Sequence, residues 1–155
     1  MLMQRLLLIG SLGASIALAA CSGETSDADD ASDGAPAAAA AGGTWATELT
    51  PDAGGKVIEV EMETDESGAN KFEPAAFEAK KGDVIRYKLQ VGVHNAHFVA
   101  DSNPGAQGLP SQPSDMLQLP GQTVDVKVTW APGTYYFQCD PHALLGMVGH
   151  VTVTP

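Results

Sequence analysis

From Lys56 to its end the chain is a series of short runs in which apolar and charged residues alternate, cut by Gly and Pro. Nowhere after the first twenty residues does a 3.6-residue repeat reach helix length. A period of two belongs to a strand with one buried face. Lys56–Glu63 alternates from Val60 on, Phe77–Lys80 is a short second run, and Asp83–Val91 sets Ile85, Tyr87 and Leu89 against Arg86, Lys88 and Gln90. Val93–Ala100 is a fourth run and Met116–Leu119 a short edge-strand candidate. Gln122–Trp130, Thr134–Cys139 and Val148–Thr154 complete the set. Ser102–Pro113 carries two Gly and three Pro and is loop. This pattern specifies an all-β domain over residues 56–155, a Greek-key antiparallel sandwich of seven to eight strands in about 100 residues.

The first 55 residues follow other rules. Met1–Arg5 is a short basic head, and Leu6–Ala17 an apolar stretch too short to span a bilayer, as in a secretory signal over residues 1–20. Leu18-Ala19-Ala20-Cys21 resembles the lipobox of bacterial lipoproteins. That resemblance implies that Cys21 carries lipid and becomes the first residue of the mature chain. Ser22 behind it resembles an outer-membrane sorting signal of Gram-negative cells. Residues 21–55 are acidic, then Ala-rich, and lack the apolar surface needed to offset ordering entropy, so they are expected to form a disordered tether. Trp45 and Leu49 leave two options for its end, docked on the domain or loose. The formal net charge of −11 sits largely in this tether, with seven acids and no base, against twelve acids and seven bases in residues 56–155. Neither part offers the basic surface that nucleic acid requires.

Of the two cysteines, Cys139 stands in the most informative stretch, Tyr135-Tyr-Phe-Gln-Cys139-Asp-Pro-His142-Ala-Leu-Leu-Gly-Met147. A thiolate, an imidazole and a thioether leave one strand end together, and Val93-His94-Asn95 offers a second imidazole upstream. Thiolate plus two imidazoles, with a soft thioether at longer range, is the donor set of a blue-copper electron-transfer site. Strand alternation turns Tyr135, Phe137 and Cys139 inward and Tyr136 and Gln138 outward. Pro141 restricts the backbone between Cys139 and His142, and Gly146 permits the turn that brings Met147 back.

Over Lys56–Pro155 the sequence resembles the cupredoxins, the family of plastocyanin, pseudoazurin and amicyanin. The matching pieces are Phe72-Glu-Pro74, Lys81-Gly82-Asp83, His94-Asn95, Pro132-Gly-Thr-Tyr135 and Cys139-Asp-Pro-His142 through Met147-Val-Gly. The resemblance implies one copper held by His94, Cys139, His142 and Met147, with Asn95 tying the two ligand loops together. It implies that electrons pass at the solvent-facing edge of His142, and that Ala143, Leu144, Leu145 and Gly146 form part of an apolar docking patch. Two positions depart from relatives. Plastocyanin has an aromatic residue where Gln138 stands, and azurin a glycine where Val93 stands, so neither a second electron port nor a fifth ligand carries over.

Other readings of the same residues are weaker. Zinc would accept Cys and His, but methionine serves it poorly. A Cys–His nucleophile must be accessible in a cleft, and Cys139 points inward. His97 and His150 are expected to be exposed or hydrogen-bonded, and Met62 and Met116 to pack in the core or at an edge. The expected protein is therefore a monomeric one-electron carrier and not an enzyme. It takes redox proteins as partners and no small-molecule substrate, and is lipid-anchored at the bacterial cell envelope facing the periplasm or exterior. A copper-delivery lipoprotein is the alternative, and a metal-free interaction sandwich a third.

Overall fold

The computed structural model describes residues 42–155; the signal, Cys21 and the tether up to residue 41 lie outside the described residues. Seven strands form two sheets: β1 (Val57–Thr64), β2 (Asn70–Glu73), β3 (Ala76–Lys80), β4 (Val84–Val91), β5 (Thr123–Lys127), β6 (Gly133–Gln138) and β7 (Val148–Thr154). One sheet has the order β2-β1-β4-β5 and the other β3-β7-β6. The all-β sandwich follows the sequence pattern, but its pairing is mixed. β1–β2, β4–β5 and β6–β7 are antiparallel as expected, whereas β1 runs parallel to β4 and β3 parallel to β7, so the expectation of an antiparallel sandwich is corrected at those two pairs. The reason is topological: β2 and β3 intervene between β1 and β4, and that length of chain permits the crossover a parallel pair needs.

Alternation holds where a strand has one buried face. Val60 and Met62, Tyr87 and Leu89, Tyr135 and Phe137, and Val151 and Val153 all turn inward. Phe137 lies at the centre, its ring centroid 4.9 Å from Phe72, 5.4 Å from Tyr87 and 5.8 Å from Phe98. Burying one such side chain is worth about 1.5–3 kcal/mol.

Four local expectations change. Asn70–Glu73, unmarked by any alternating run, is β2. Val93–Ala100 is no strand. Its backbone makes isolated bridges, His94 with Leu117 and His97 with Gln138, and its consecutive residues His94, Asn95 and Ala96 are all buried. Met116–Leu119 contributes only the Leu117 side of that bridge. Finally, residues 42–55, expected to be tether, lie against the sandwich. Ala46 pairs with Asp125 through both backbone bonds. Trp45 stacks on Phe98 at 6.0 Å and donates its indole N–H to the Gln112 carbonyl at 2.8 Å. The Leu49 amide donates to the Asp125 carboxylate, which also receives two bonds from Arg86. The aromatic surface of Trp45 and the fully buried Asp125 acceptor offset the ordering entropy that composition alone leaves unmet.

Candidate metal centre

At one end of the sandwich, segment 93–97 joins the two sheets. His94 exchanges backbone bonds with Leu117 at 3.2 and 2.8 Å, and His97 with Gln138 of β6 at 2.9 and 3.0 Å. Ser114 braces the same segment, accepting from the Ala96 amide at 3.0 Å. This places His94 beside Cys139 at the end of β6. From there Asp140–Leu145 forms a 3₁₀ turn that ends at Gly146, whose φ of 93° is the left-handed conformation that glycine adopts freely.

His94 Nδ1, His142 Nδ1 and Cys139 Sγ meet in a triangle with edges of 3.1, 3.4 and 3.6 Å. The centre of such a triangle is about 2 Å from each corner, a metal–ligand bond length. Met147 is fully buried. Its backbone is tied to the same turn, with its amide donating to the His142 carbonyl and its carbonyl accepting from the Cys139 amide, both at 3.1 Å. Thiolate and two imidazoles, with a thioether on a segment bonded to the same turn, suit copper better than zinc.

The electrostatics fit a cation. Burial pushes the Cys139 thiol up; backbone N–H groups of Asn95 and His142 oppose this, and the charge of Asp140 adds to it. A thiol held this way keeps its proton at neutral pH until a metal displaces it. Burial first, and then the neighbouring His142, push His94 below the ordinary histidine range, against a hydrogen bond that its ring donates to the Val91 carbonyl. His94 is therefore a neutral imidazole with a lone pair available to a metal.

Around the triangle, Asn95 joins the two segments. Its side-chain oxygen accepts from the Asp140 amide at 2.8 Å, and its Nδ2 donates to the Asp140 carboxylate at 3.1 Å. His97 faces away, with Nδ1 2.8 Å from Asp140 Oδ1, and Gln138 donates to that same oxygen at 3.0 Å. His150 is exposed against Tyr136. His94 and Cys139 are fully buried, and His142 is half-buried. Ala143 is half-buried, and Leu144, Leu145 and Gly146 are exposed, with Leu144 wholly so.

Two residues near the site escaped the sequence reading. Thr64 and Asn70 face each other across the β1–β2 hairpin, and the Thr64 hydroxyl lies 3.2 Å from His94 Nε2. The turn-forming run Asp65-Glu-Ser-Gly68 was the available signal for that hairpin.

Comparison with known proteins agrees with this geometry. The family model described as copper binding proteins, plastocyanin/azurin family, matches residues 58–154. The chloroplast plastocyanin of Oryza sativa subsp. indica is 40% identical over 103 residues, covering 65% of this chain and 66% of that protein. The plastocyanin of Vicia faba is 42% identical over 90 residues, covering 56% of this chain and 90% of that one. The chain thus spans just under two thirds of the rice protein and 56% of the related Hordeum vulgare plastocyanin. Among solved structures, the oxidised plastocyanin of Dryopteris crassirhizoma superposes with a TM-score of 0.53 at 33% identity, over 63% of this chain and all of that one. A reduced amicyanin variant superposes at 0.50 and 29% identity, over 63% of this chain and 82% of that one. With the family model running from β1 to the end of β7 across the Cys/His₂ triangle, this chain belongs to the plastocyanin/azurin family of copper-binding proteins, and copper is its cofactor.

Proposed function

We propose that the protein is a one-electron carrier. It is held at the bacterial cell envelope by lipid on Cys21 and exchanges electrons with redox protein partners without transforming a substrate. The observation that carries this reading is the Cys139–His94–His142 triangle, closed on the core side and open to solvent only through His142. Relatives whose solved structures are described as oxidised or reduced support it.

Bound copper supplies a couple, Cu(I)/Cu(II), that gains and loses one electron. The residues supply everything else. His94, Cys139 and His142 arrive from a bridged segment and a 3₁₀ turn that are hydrogen-bonded to each other, so their spacing does not depend on which charge the site holds. Burial of Cys139 keeps the sulfur from solvent oxidants and from other thiols. Met147 would lend a soft donor. The exposed Leu144 and Leu145 rim the half-buried edge of His142 and give a partner an apolar surface to desolvate. Burial of two of the three donors favours keeping the copper over delivering it.

The lipid anchor rests on Leu18-Ala19-Ala20-Cys21, and an envelope location follows from the same reading; the carrier is read as a monomer. Loading the signal-free chain with Cu(II) tests the carrier. A strong thiolate-to-copper absorption that a reductant bleaches and an oxidant restores is the expected result. A colourless adduct that passes its copper quickly to a chelator would replace the carrier by a delivery protein.

A further inference from the structure

The imidazole of His94 has two nitrogens, and only Nδ1 faces Cys139 and His142. Nε2 turns the other way, 3.1 Å from the Val91 carbonyl and 3.2 Å from the Thr64 hydroxyl. A carbonyl can only accept, so Nε2 carries the ring hydrogen. Thr64 Oγ1 donates its own hydrogen to Asn70 Oδ1 at 2.7 Å, which leaves its lone pairs facing the imidazole N–H.

We propose that Thr64 and Asn70 are positioning residues for the copper site, a relay from His94 Nε2 through Thr64 to Asn70 that holds the ring where Nδ1 presents its lone pair to the metal. The relay rests on the reading that His94 is a copper ligand. A ligating histidine is ordinarily fixed through its second nitrogen, and loss of such a partner costs metal affinity. Here the second nitrogen has acceptors on two strands. The Val91 carbonyl, at the end of β4, restrains the ring from one side. Thr64, at the end of β1, restrains it from another, so that it cannot swing about a single contact.

Two features of the backbone serve this arrangement. Between Met62 and Glu63 the pairing of β1 with β4 slips, with Met62 opposite Leu89 and Glu63 opposite Val91, leaving Gln90 as an extra residue. Such a bulge bends the strand locally, and it lies directly before the Val91 carbonyl. Gly92 then takes a φ of 101°, and a Cβ placed there would lie 2.5 Å from Thr64 Oγ1 and 2.7 Å from His94 Nε2. Only a residue without a side chain leaves room for the relay. Thr64 and Asn70 are themselves the last pair of the β1–β2 register before the turn, directly across the hairpin from each other.

The test compares the mature chain with Thr64→Val, Thr64→Ser, Asn70→Ala and the double variant Thr64→Val/Asn70→Ala. Three quantities are read: ¹⁵N ring signals of His94 in the metal-free protein, Cu(I) affinity against a chelator, and the reduction potential. Thr64→Val keeps the side-chain shape and removes the hydroxyl. It should give the His94 ring mixed signals, shift the potential and weaken copper by about 10-fold. Asn70→Ala should move the same quantities in the same sense by less. The double variant should be no worse than Thr64→Val, because a serial relay is already broken. Thr64→Ser should restore the parent values. Parent-like ring signals and affinity in Thr64→Val would overturn the relay, as would full additivity in the double variant or failure of serine to rescue. If Thr64→Val does not fold, Asn70→Ala decides, since it alters the relay while leaving every contact of the ring in place. If the parent shows no thiolate-to-copper band, the carrier reading fails by itself, while the ring signals of the metal-free variants still decide the relay.

Discussion

His94 and His142 bring the same chemical group to one triangle from regions built in opposite ways. His94 is fully buried, bonded at Nε2 to acceptors on two strands, and flanked by a backbone bridged to Leu117. His142 sits in a single 3₁₀ turn and is half-buried. Two residues on, Leu144 is wholly in water, and Leu145 beyond it is largely exposed. Among the described residues its ring is bonded only through Nδ1, to the other two corners of the triangle. One region is a wall that sets geometry; the other, on the proposed carrier reading, is the opening through which a partner would reach the site. A site that must be stiff toward its metal and accessible toward proteins meets both demands by dividing them between its two imidazoles.

The largest effect should come where the two regions share a residue. Cys139 Sγ lies within 3.6 Å of both rings, and its backbone is bonded to Met147 and His142. Cys139→Ser should abolish the thiolate-to-copper absorption while the sandwich still melts cooperatively, because serine is close to cysteine in size and the ring pairs around Phe137 remain. A persisting band would remove Cys139 from the site. The next effect should separate the regions. Leu144→Glu and Leu145→Glu place a charge on the apolar rim, and surface changes of this kind leave stability within about 0.5 kcal/mol. Exchange between oxidised and reduced copies, followed by NMR line broadening, should slow by roughly 10-fold, the cost of about 1.4 kcal/mol at a docking contact. The absorption spectrum should not move. Unchanged exchange would mean that electrons do not enter beside His142.

Much of this architecture was legible in the chain because a half-buried strand prints its register in alternating residues. β1, β6 and β7 each have one face toward the core and one toward water, and β5 carries the same alternation although its outer face is covered at Asp125. The Cys139–Met147 spacing was legible because a single turn holds all three side chains. β2 was not, since four residues with one buried side chain, Phe72, make no pattern. Nor was the course of residues 93–100, where three buried residues in a row satisfy their backbone through isolated bridges and the Ser114 hydroxyl. The relay partners of His94 depend on which residue of β2 lies opposite Thr64, and register of that kind is fixed by the turn and not by composition. Trp45 was ambiguous for a similar reason: its docking depends on Phe98, Tyr87 and the Gln112 carbonyl converging from distant segments.

The smallest effect should come from the turn that closes this hairpin, and it asks whether the wall can be loosened without touching the opening. Asp65 Oδ1 accepts from the Ser67 hydroxyl at 2.6 Å, the Ser67 amide at 2.9 Å and the Ala69 amide at 3.0 Å. The Ser67 hydroxyl, followed by the Ala69 amide, holds the carboxyl below its ordinary value, against a smaller opposing effect of burial. A carboxyl whose folded value is depressed stabilises the fold fully above its ordinary titration range, and loses that contribution as pH falls through the folded value. Asp65→Ala should therefore melt only slightly below the parent at neutral pH. The gap should close in acid, below the ordinary aspartate range, where both proteins lack the carboxylate. The hairpin end would fray, the Thr64–Asn70 pair would loosen, and the His94 ring signals should broaden while self-exchange stays at the parent rate. If Asp65→Ala slowed exchange as strongly as Leu144→Glu, the hairpin would be coupled to the His142 edge and the division of labour between the two histidines would fail.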